Sequence, residues 1–95
     1  MTEEELKEIE DRCNAATKGP WRSFIEGRDH TSGDSFIMTG IKEGEDIWNE
    51  SRNEDIYVTG ATDADQDFIA HSRQDIPKLI QAIRQLRLEI ESNKK

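Results

Sequence analysis

A regular repeat of large apolar residues near the C-terminus constrains this chain more than any other feature. The repeat has the three-and-four spacing of a coiled-coil seam and comprises Ile76, Leu79, Ile83, Leu86 and Ile90. A helix with such a stripe is stable only when the stripe is covered. The cover is either the rest of the same domain or a second copy of the chain, and we expect a homo-oligomer.

Three residues of this helix are predicted to make protein contacts. Leu86 and Ile90 lie on the seam, whereas Leu88 lies off it on the solvent side, where a monomer would gain little from a leucine. The alternative, that the seam packs on the chain's own sheet or first helix, stays open on sequence alone.

The small apolar content limits the chain to one modest core. Of its 95 residues, 33% are hydrophobic and 36% are charged, so a single domain spanning 1–95 is expected. Cys13 is the only cysteine, which excludes an internal disulfide and indicates a reducing, cytoplasmic setting. The sequence has no apolar run long enough to cross a membrane, so no membrane partner is expected.

The net charge of −8 comes entirely from the first 60 residues, since residues 61–95 hold equal numbers of acidic and basic side chains. General attraction to the phosphates of nucleic acid is therefore not expected, and direct nucleic-acid binding is not predicted. Solubility alone explains such a charge. The alternative is that an acidic face, formed by the first helix together with Glu43, Glu45 and Asp46, occupies a basic surface of a host protein.

The N-terminal 17 residues are predicted to form a helix over about 3–16. Thr2 and Glu5 have the spacing of a capping box. One helix face then carries Leu6, Ile9, Cys13 and Ala16. Gly19 can adopt the left-handed conformation that closes a helix and Pro20 cannot continue one, so the chain leaves the helix here.

Residues 20–60 are predicted to form an antiparallel sheet. Three segments rich in β-branched and aromatic residues, 21–26, 35–41 and 55–59, alternate with glycine-rich or polar turns. A fourth strand around Ile47 and Trp48 would make the sheet four-stranded.

Residues 62–93 are predicted to form two helices, a short one over about 63–73 and a long one that begins at Asp75 with Pro77 in its first turn. The fold class is α+β: an N-terminal helix, a three- to four-stranded antiparallel sheet, a short helix and a long C-terminal helix. The predicted core consists of Trp21, Phe24, Ile37, Val58, Phe68, Leu79 and Ile83.

One candidate ligand site combines cations with an aromatic face. His71 and Arg73 come at the predicted helix end, near the point where Trp21 and Arg22 begin the first strand. Arginine and tryptophan together suit a small, planar, anionic ligand such as a nucleotide. The alternative is structural, with the cations near the carbonyl end of a helix and the tryptophan in the core.

Catalytic and metal sites are weakly indicated. Asp67 and His71 are four residues apart on a helix, which would suit a minor hydrolase, but Ser72 adjoins His71 and so points away from it. The acidic run at 63–67 lacks the glycine and the glutamate of a calcium loop. His30, His71 and Cys13 are too scattered to bind zinc, so no enzyme activity, metal or cofactor is expected.

Three motifs occur in a recognisable order: AATKGPW at 15–21, DADQDFIAHSR at 63–73 and DIPKLIQAIRQLR at 75–87. This order resembles the Ead-like family of small phage and prophage early proteins, in which AATPGPW precedes a few strands, DAxFIAxAR, and an aspartate and proline before a leucine-rich helix. Lys18 departs from the family's proline. The recurring family residues correspond to Trp21, Asp63, Phe68, Ile69 and Pro77, and most of them suit a helix–sheet junction.

The resemblance implies a phage-type accessory protein with no established catalytic activity, acting in the cytoplasm of a bacterial host. The prediction is therefore a binding protein that counteracts a host process by sequestering a small anionic, nucleotide-like molecule at an oligomer interface. The alternatives are an acidic inhibitor of a host protein and a minor hydrolase that uses His71.

Overall fold

The computed structural model describes residues 1–31, 33–40 and 55–93. Its elements, in chain order, are helix α1 (Glu3–Ala15), strand β1 (Arg22–Phe24), strand β2 (Phe36–Met38) and helix α2 (Asp63–Asn93). The predicted α+β class is confirmed, as are the N-terminal helix, an antiparallel sheet and a long C-terminal helix.

Helix α1 begins at the predicted capping box. The Thr2 hydroxyl accepts a hydrogen bond from the Glu5 N–H at 3.1 Å, and the Glu5 carboxylate accepts one from the Thr2 N–H at 3.0 Å. These bonds satisfy donors that a helix N-terminus otherwise leaves without a partner. The helix ends because Ala16 is extended; Gly19 does not have the left-handed conformation predicted for it.

The sheet has two strands and one additional bridge. Strands β1 and β2 are antiparallel, with Ser23 opposite Ile37. On the other side of β2, Ile37 exchanges two backbone hydrogen bonds with Ile56, at 2.8 and 2.9 Å. The predicted third strand is therefore not confirmed, because the part of 55–59 that pairs is a single residue. The fourth strand, predicted around Ile47 and Trp48, lies outside the described residues.

Helix α2 is continuous, so the predicted division into a short and a long helix is not confirmed. Pro77 has no N–H and removes one backbone hydrogen bond from the helix interior. Just before it, the side chains of Arg73 and Gln74 bond to the segment that follows α1. These contacts fix the helix on the N-terminal side of the proline and offset the lost bond.

The core lies between the sheet, α1 and one face of α2. Its buried apolar residues are Leu6, Ile25, Phe36, Ile37, Met38, Ala70 and Ile80. Of the predicted core, Ile37 is buried, and the half-buried members are Trp21, Phe24, Val58 and Ile83. Phe68 and Leu79 are 74% and 61% exposed, so their assignment to the core is wrong. The prediction placed Leu79 and Ile83 of the apolar stripe in the core, whereas the buried residues of α2 are Gln66, Ala70 and Ile80.

Ion pairs hold α1 along α2. The Arg84 guanidinium contacts Glu10 at 2.6 Å and Glu3 at 3.1 Å, and Arg87 contacts Glu3 at 3.3 Å. Arg87 also donates to the Met1 carbonyl. Single exposed ion pairs contribute little to stability, but this set shares partners and so forms a network. Its effect is to align α1 with the second half of α2.

A buried glutamine joins α2 to both strands. The Gln66 side chain is 4% exposed, and its Nε2 donates to the Phe36 carbonyl at 3.0 Å, to Ser23 Oγ at 2.9 Å and to the Phe24 carbonyl at 3.2 Å. Ala70, fully buried one turn later, has a side chain small enough for the sheet to approach the helix. The face of α2 against the sheet is therefore set by a polar residue and a small one.

We predict that Gln66→Leu destabilises the protein by about 1–3 kcal/mol, because buried acceptors lose their donor. The matched control is Gln81→Leu, the same change at an exposed position of the same helix, with an expected effect within about 0.5 kcal/mol. Urea unfolding followed by circular dichroism measures both. Equal stabilities of the two variants would contradict the role given to Gln66.

Candidate functional site

Two of the four predicted ligand residues meet at the Thr17 carbonyl. Trp21 Nε1 donates to this oxygen at 3.1 Å and Arg73 Nε donates to it at 2.9 Å. Trp21 is half-buried. The structure thus brings Trp21 and Arg73 together and engages both in joining the segment after α1 to α2.

The backbone of Trp21 is held by a second side chain of α2. Its N–H donates to Gln74 Oε1 at 2.8 Å, and Gln74 Nε2 donates to its carbonyl at 2.9 Å. The amide of Gln74 therefore pairs with one residue in the way that a neighbouring strand would. Gly19 lies beside this contact, since a Cβ there would be 3.4 Å from Arg73 Cγ and 3.5 Å from Gln74 Oε1. The motif GPW thus forms the junction between α1, the sheet and α2.

Arg22 does not lie with Arg73. Side chains alternate along a strand, and Ser23 faces α2 because its hydroxyl bonds to Gln66. Arg22 is on the opposite face, with its guanidinium carbon 6.0 Å from the centroid of the Phe24 ring. His71 is exposed on α2. The four residues therefore do not surround one pocket, and their role in ligand binding stays a prediction.

An ionic cluster that sequence reasoning missed centres on Arg28. Its guanidinium makes a two-pronged contact with Asp67, at 2.7 and 3.0 Å, and also contacts Asp29 at 2.9 and 3.0 Å. The Asp29 carboxylate in turn accepts from the Ile25 N–H at 2.8 Å. This cluster fixes the turn after β1 to the second turn of α2.

Asp67 is held in its charged form. The hydrogen bonds from Arg28, followed by the one from Ser23, lower the pKa of Asp67 from 3.8 to about 2, and the nearby charge of His71 adds to this shift. Because the Asp67 carboxylate already accepts hydrogen bonds from Arg28 and Ser23, it is a poor partner for orienting the His71 imidazole. Ser72 is also turned away, since its hydroxyl donates to the Phe68 carbonyl at 2.6 Å. Ser72 is therefore not placed to act as the nucleophile of the hydrolase hypothesis.

The acidic face is partly neutralised within the chain. Glu3 and Glu10 of α1 contact Arg84, and Asp11 contacts Lys7 at 3.1 Å. Glu43, Glu45 and Asp46 lie outside the described residues. Among the residues that the structure does describe, no group of three or more histidine, cysteine or acidic side chains could hold a metal ion.

The apolar stripe of α2 carries much of the exposed apolar surface in the part of the chain that the structure describes. It begins two helical turns earlier than predicted, at Ile69, which lies seven residues before Ile76. We call Ile69, Ile76, Leu79, Ile83, Leu86 and Ile90 the α2 seam. Leu79, Leu86 and Ile90 are 61%, 58% and 56% exposed. Leu88, off the seam, is also exposed.

At its N-terminal end the α2 seam borders an open groove of about 430 Å³. The groove is lined by Phe68 and Ile69 of α2 and by the turn that precedes this helix, Val58 to Ala61. Phe68 is 74% exposed, more than any other large hydrophobic side chain among the described residues. Exposed apolar side chains thus recur from this groove to Ile90 near the C-terminal end of α2.

The chain matches no protein-family model, no curated protein and no solved structure. The resemblance to the Ead-like proteins therefore stays a prediction. In the part of the chain that the structure describes, neither helix is long and apolar enough to cross a membrane.

We predict an acid dependence of stability that originates at Asp67. Its pKa is lower in the folded state, so the stabilisation is complete above about pH 4 and is lost as the pH falls towards 2. Asp67→Asn should lower the melting temperature at neutral pH and flatten its decline over this acid range. Asp75→Asn, on the same helix, is the matched control and should keep the wild-type decline. A wild-type decline in Asp67→Asn would show that the Arg28 contact does not contribute.

Proposed function

We propose that this protein is a non-enzymatic, self-associating binding protein and that the α2 seam is its assembly surface. One observation carries the proposal: the domain packs on one face of α2, while five of the six residues of the α2 seam are exposed and the sixth, Ile83, is half-buried. Contiguous apolar surface of this kind is typical of an interaction site. Both copies contribute a seam to the contact.

The energetics favour association. Full burial of a leucine or isoleucine side chain stabilises by about 1.5–3 kcal/mol, and the α2 seam has six such residues in each copy. Loss of translational and rotational freedom on pairing costs about 4–15 kcal/mol. The free energy gained by even partial burial of the twelve side chains from two copies is therefore comparable to that cost.

For the biological role we propose that the assembly is a phage-type accessory protein that counteracts a host process by sequestering a small anionic molecule. This proposal rests on the resemblance and on the exposed side chains of Arg22 and His71. The acidic-inhibitor alternative has less support, because Glu3 and Glu10 already pair with Arg84. The position of Ser72 speaks against the hydrolase alternative.

Substitution of each arginine in the predicted ligand site gives a different test of the proposed sequestration. Arg73→Ala removes a bond to the Thr17 carbonyl and so affects folding as well as any ligand. Arg22 is exposed, so Arg22→Ala should leave stability within about 0.5 kcal/mol of the wild type. Native mass spectrometry of protein purified from its bacterial host should then show extra mass on the wild type and none on Arg22→Ala. The same spectrum for both proteins would contradict this role of Arg22.

Self-association is tested by a neighbouring pair of substitutions. Leu86→Lys places a charge on the α2 seam and should weaken association at least about tenfold, because a buried leucine is lost and a lysine is desolvated in each copy. Gln85→Lys places the same charge one residue away, off the seam, and should leave association unchanged. Sedimentation equilibrium measures the mass, and circular dichroism checks that both variants stay helical. A wild-type protein that is monomeric at every concentration would contradict the proposal.

A further inference from the structure

We infer that the open groove beside Phe68 holds the C-terminal turns of α2 from a second copy of the chain. Because each copy fills the groove of the other, the two helices run antiparallel. The inference rests on the proposed self-association and adds to it the occupant of the groove and the alignment of the two seams. Three features carry it: the position of the groove on α2, the different shapes of the two ends of this helix, and the residues that each alignment brings together.

The groove opens on the face of α2 that carries the seam. Its helix wall is formed by Asp65, Phe68 and Ile69, and its other wall is the turn from Val58 to Ala61. Ile69 is the first residue of the α2 seam, and Asp65 is its neighbour one helical turn earlier. A second helix that contacts the seam at Ile69 therefore also crosses the groove.

The two ends of α2 have complementary shapes. The N-terminal end is concave, because the groove there has a volume of about 430 Å³. Residues 88–93 are all exposed, so the C-terminal end projects from the domain as a single helix. This end carries Leu86 and Ile90 of the seam, which are 58% and 56% exposed. A projecting helix end with apolar side chains is a shape that an open apolar groove can accommodate.

The antiparallel direction brings these two shapes together. In a parallel pair, groove lies beside groove and projecting end beside projecting end. The groove walls then lack the contacts that a filled site provides. In an antiparallel pair, the C-terminal end of each α2 crosses the groove of the other copy. Two-fold symmetry makes this contact occur twice, once at each end of the pair.

The seam residues fit one antiparallel alignment well. When Ile69 lies opposite Leu86 of the second copy, Ile76 lies opposite Leu79, and symmetry repeats both contacts. Ile90 then reaches the groove of the second copy. This alignment therefore covers apolar side chains along the seam and fills both grooves.

The polar residue along this path is compatible with the contact. Ser72 lies opposite Ile83 of the second copy in the same alignment. Its hydroxyl already donates to the Phe68 carbonyl of its own helix at 2.6 Å. Burial of Ser72 therefore leaves no donor without an acceptor.

The charges beside the seam distinguish this alignment from its two neighbours. In it, Asp75 lies opposite Ala82 of the second copy. A shift by one heptad in one direction sets Asp75 opposite Glu89, and a shift in the other direction sets it opposite Asp75 of the second copy. Like charges placed side by side weaken an interface. Of these three alignments, the one that fills the grooves is the one that avoids this repulsion.

Disulfide trapping in the full chain tests the direction and the alignment. All chains carry Cys13→Ser, which removes the natural thiol. Tagged Ile69→Cys chains are mixed with untagged Leu86→Cys chains, left to exchange partners and mildly oxidised. The mixed 69–86 product should be the main species on a non-reducing gel. Leu88→Cys in place of Leu86→Cys is the matched control, since it is equally exposed but off the seam, and should give little mixed product.

Each other result overturns a defined part of the inference. Products that join 69 to 69 and 86 to 86 as the main species would overturn the antiparallel direction and leave self-association intact. Equal yields of mixed product from Leu86→Cys and Leu88→Cys would overturn the alignment. Circular dichroism checks that every variant stays helical. A wild-type monomer in sedimentation equilibrium would overturn the proposed function together with the inference.

Discussion

The structure depends on hydrogen bonds from two glutamine side chains of α2 to the backbone of the strand region. Gln66 donates to carbonyls of both strands, and Gln74 pairs with the N–H and the carbonyl of Trp21. Such bonds are directional, whereas hydrophobic contact is not. They therefore fix the rotation of α2 about its own axis. That rotation determines which residues of α2 face the core and leaves the α2 seam on a neighbouring side of the helix.

Local signals in the sequence predicted much of the fold. The capping box of α1 formed as expected because Thr2 and Glu5 act over one helical turn. The burial of Ile37 followed from its place in a short apolar strand. These features depend on a few neighbouring residues, and the spacing of those residues is visible in the sequence.

The rotation of α2 could not be predicted in the same way. Hydrophobic periodicity identifies a face that must be covered but does not say what covers it. The residues that fix the rotation of α2 about its axis are glutamines, an alanine and arginines. From sequence, such residues are usually assigned to the surface or to no role at all. For the same reason the predicted ligand cluster came together only in part. Trp21 and Ser23 face α2, and Arg22, between them, faces the other way.

Helix α2 has 31 residues and is therefore about 46 Å long. It carries the core face of the domain and the α2 seam on neighbouring sides, so both surfaces require the same helix to be intact. Folding of the domain and the presentation of the α2 seam are therefore linked, since any change that frays α2 loosens the core and disperses the apolar residues of the seam at the same time.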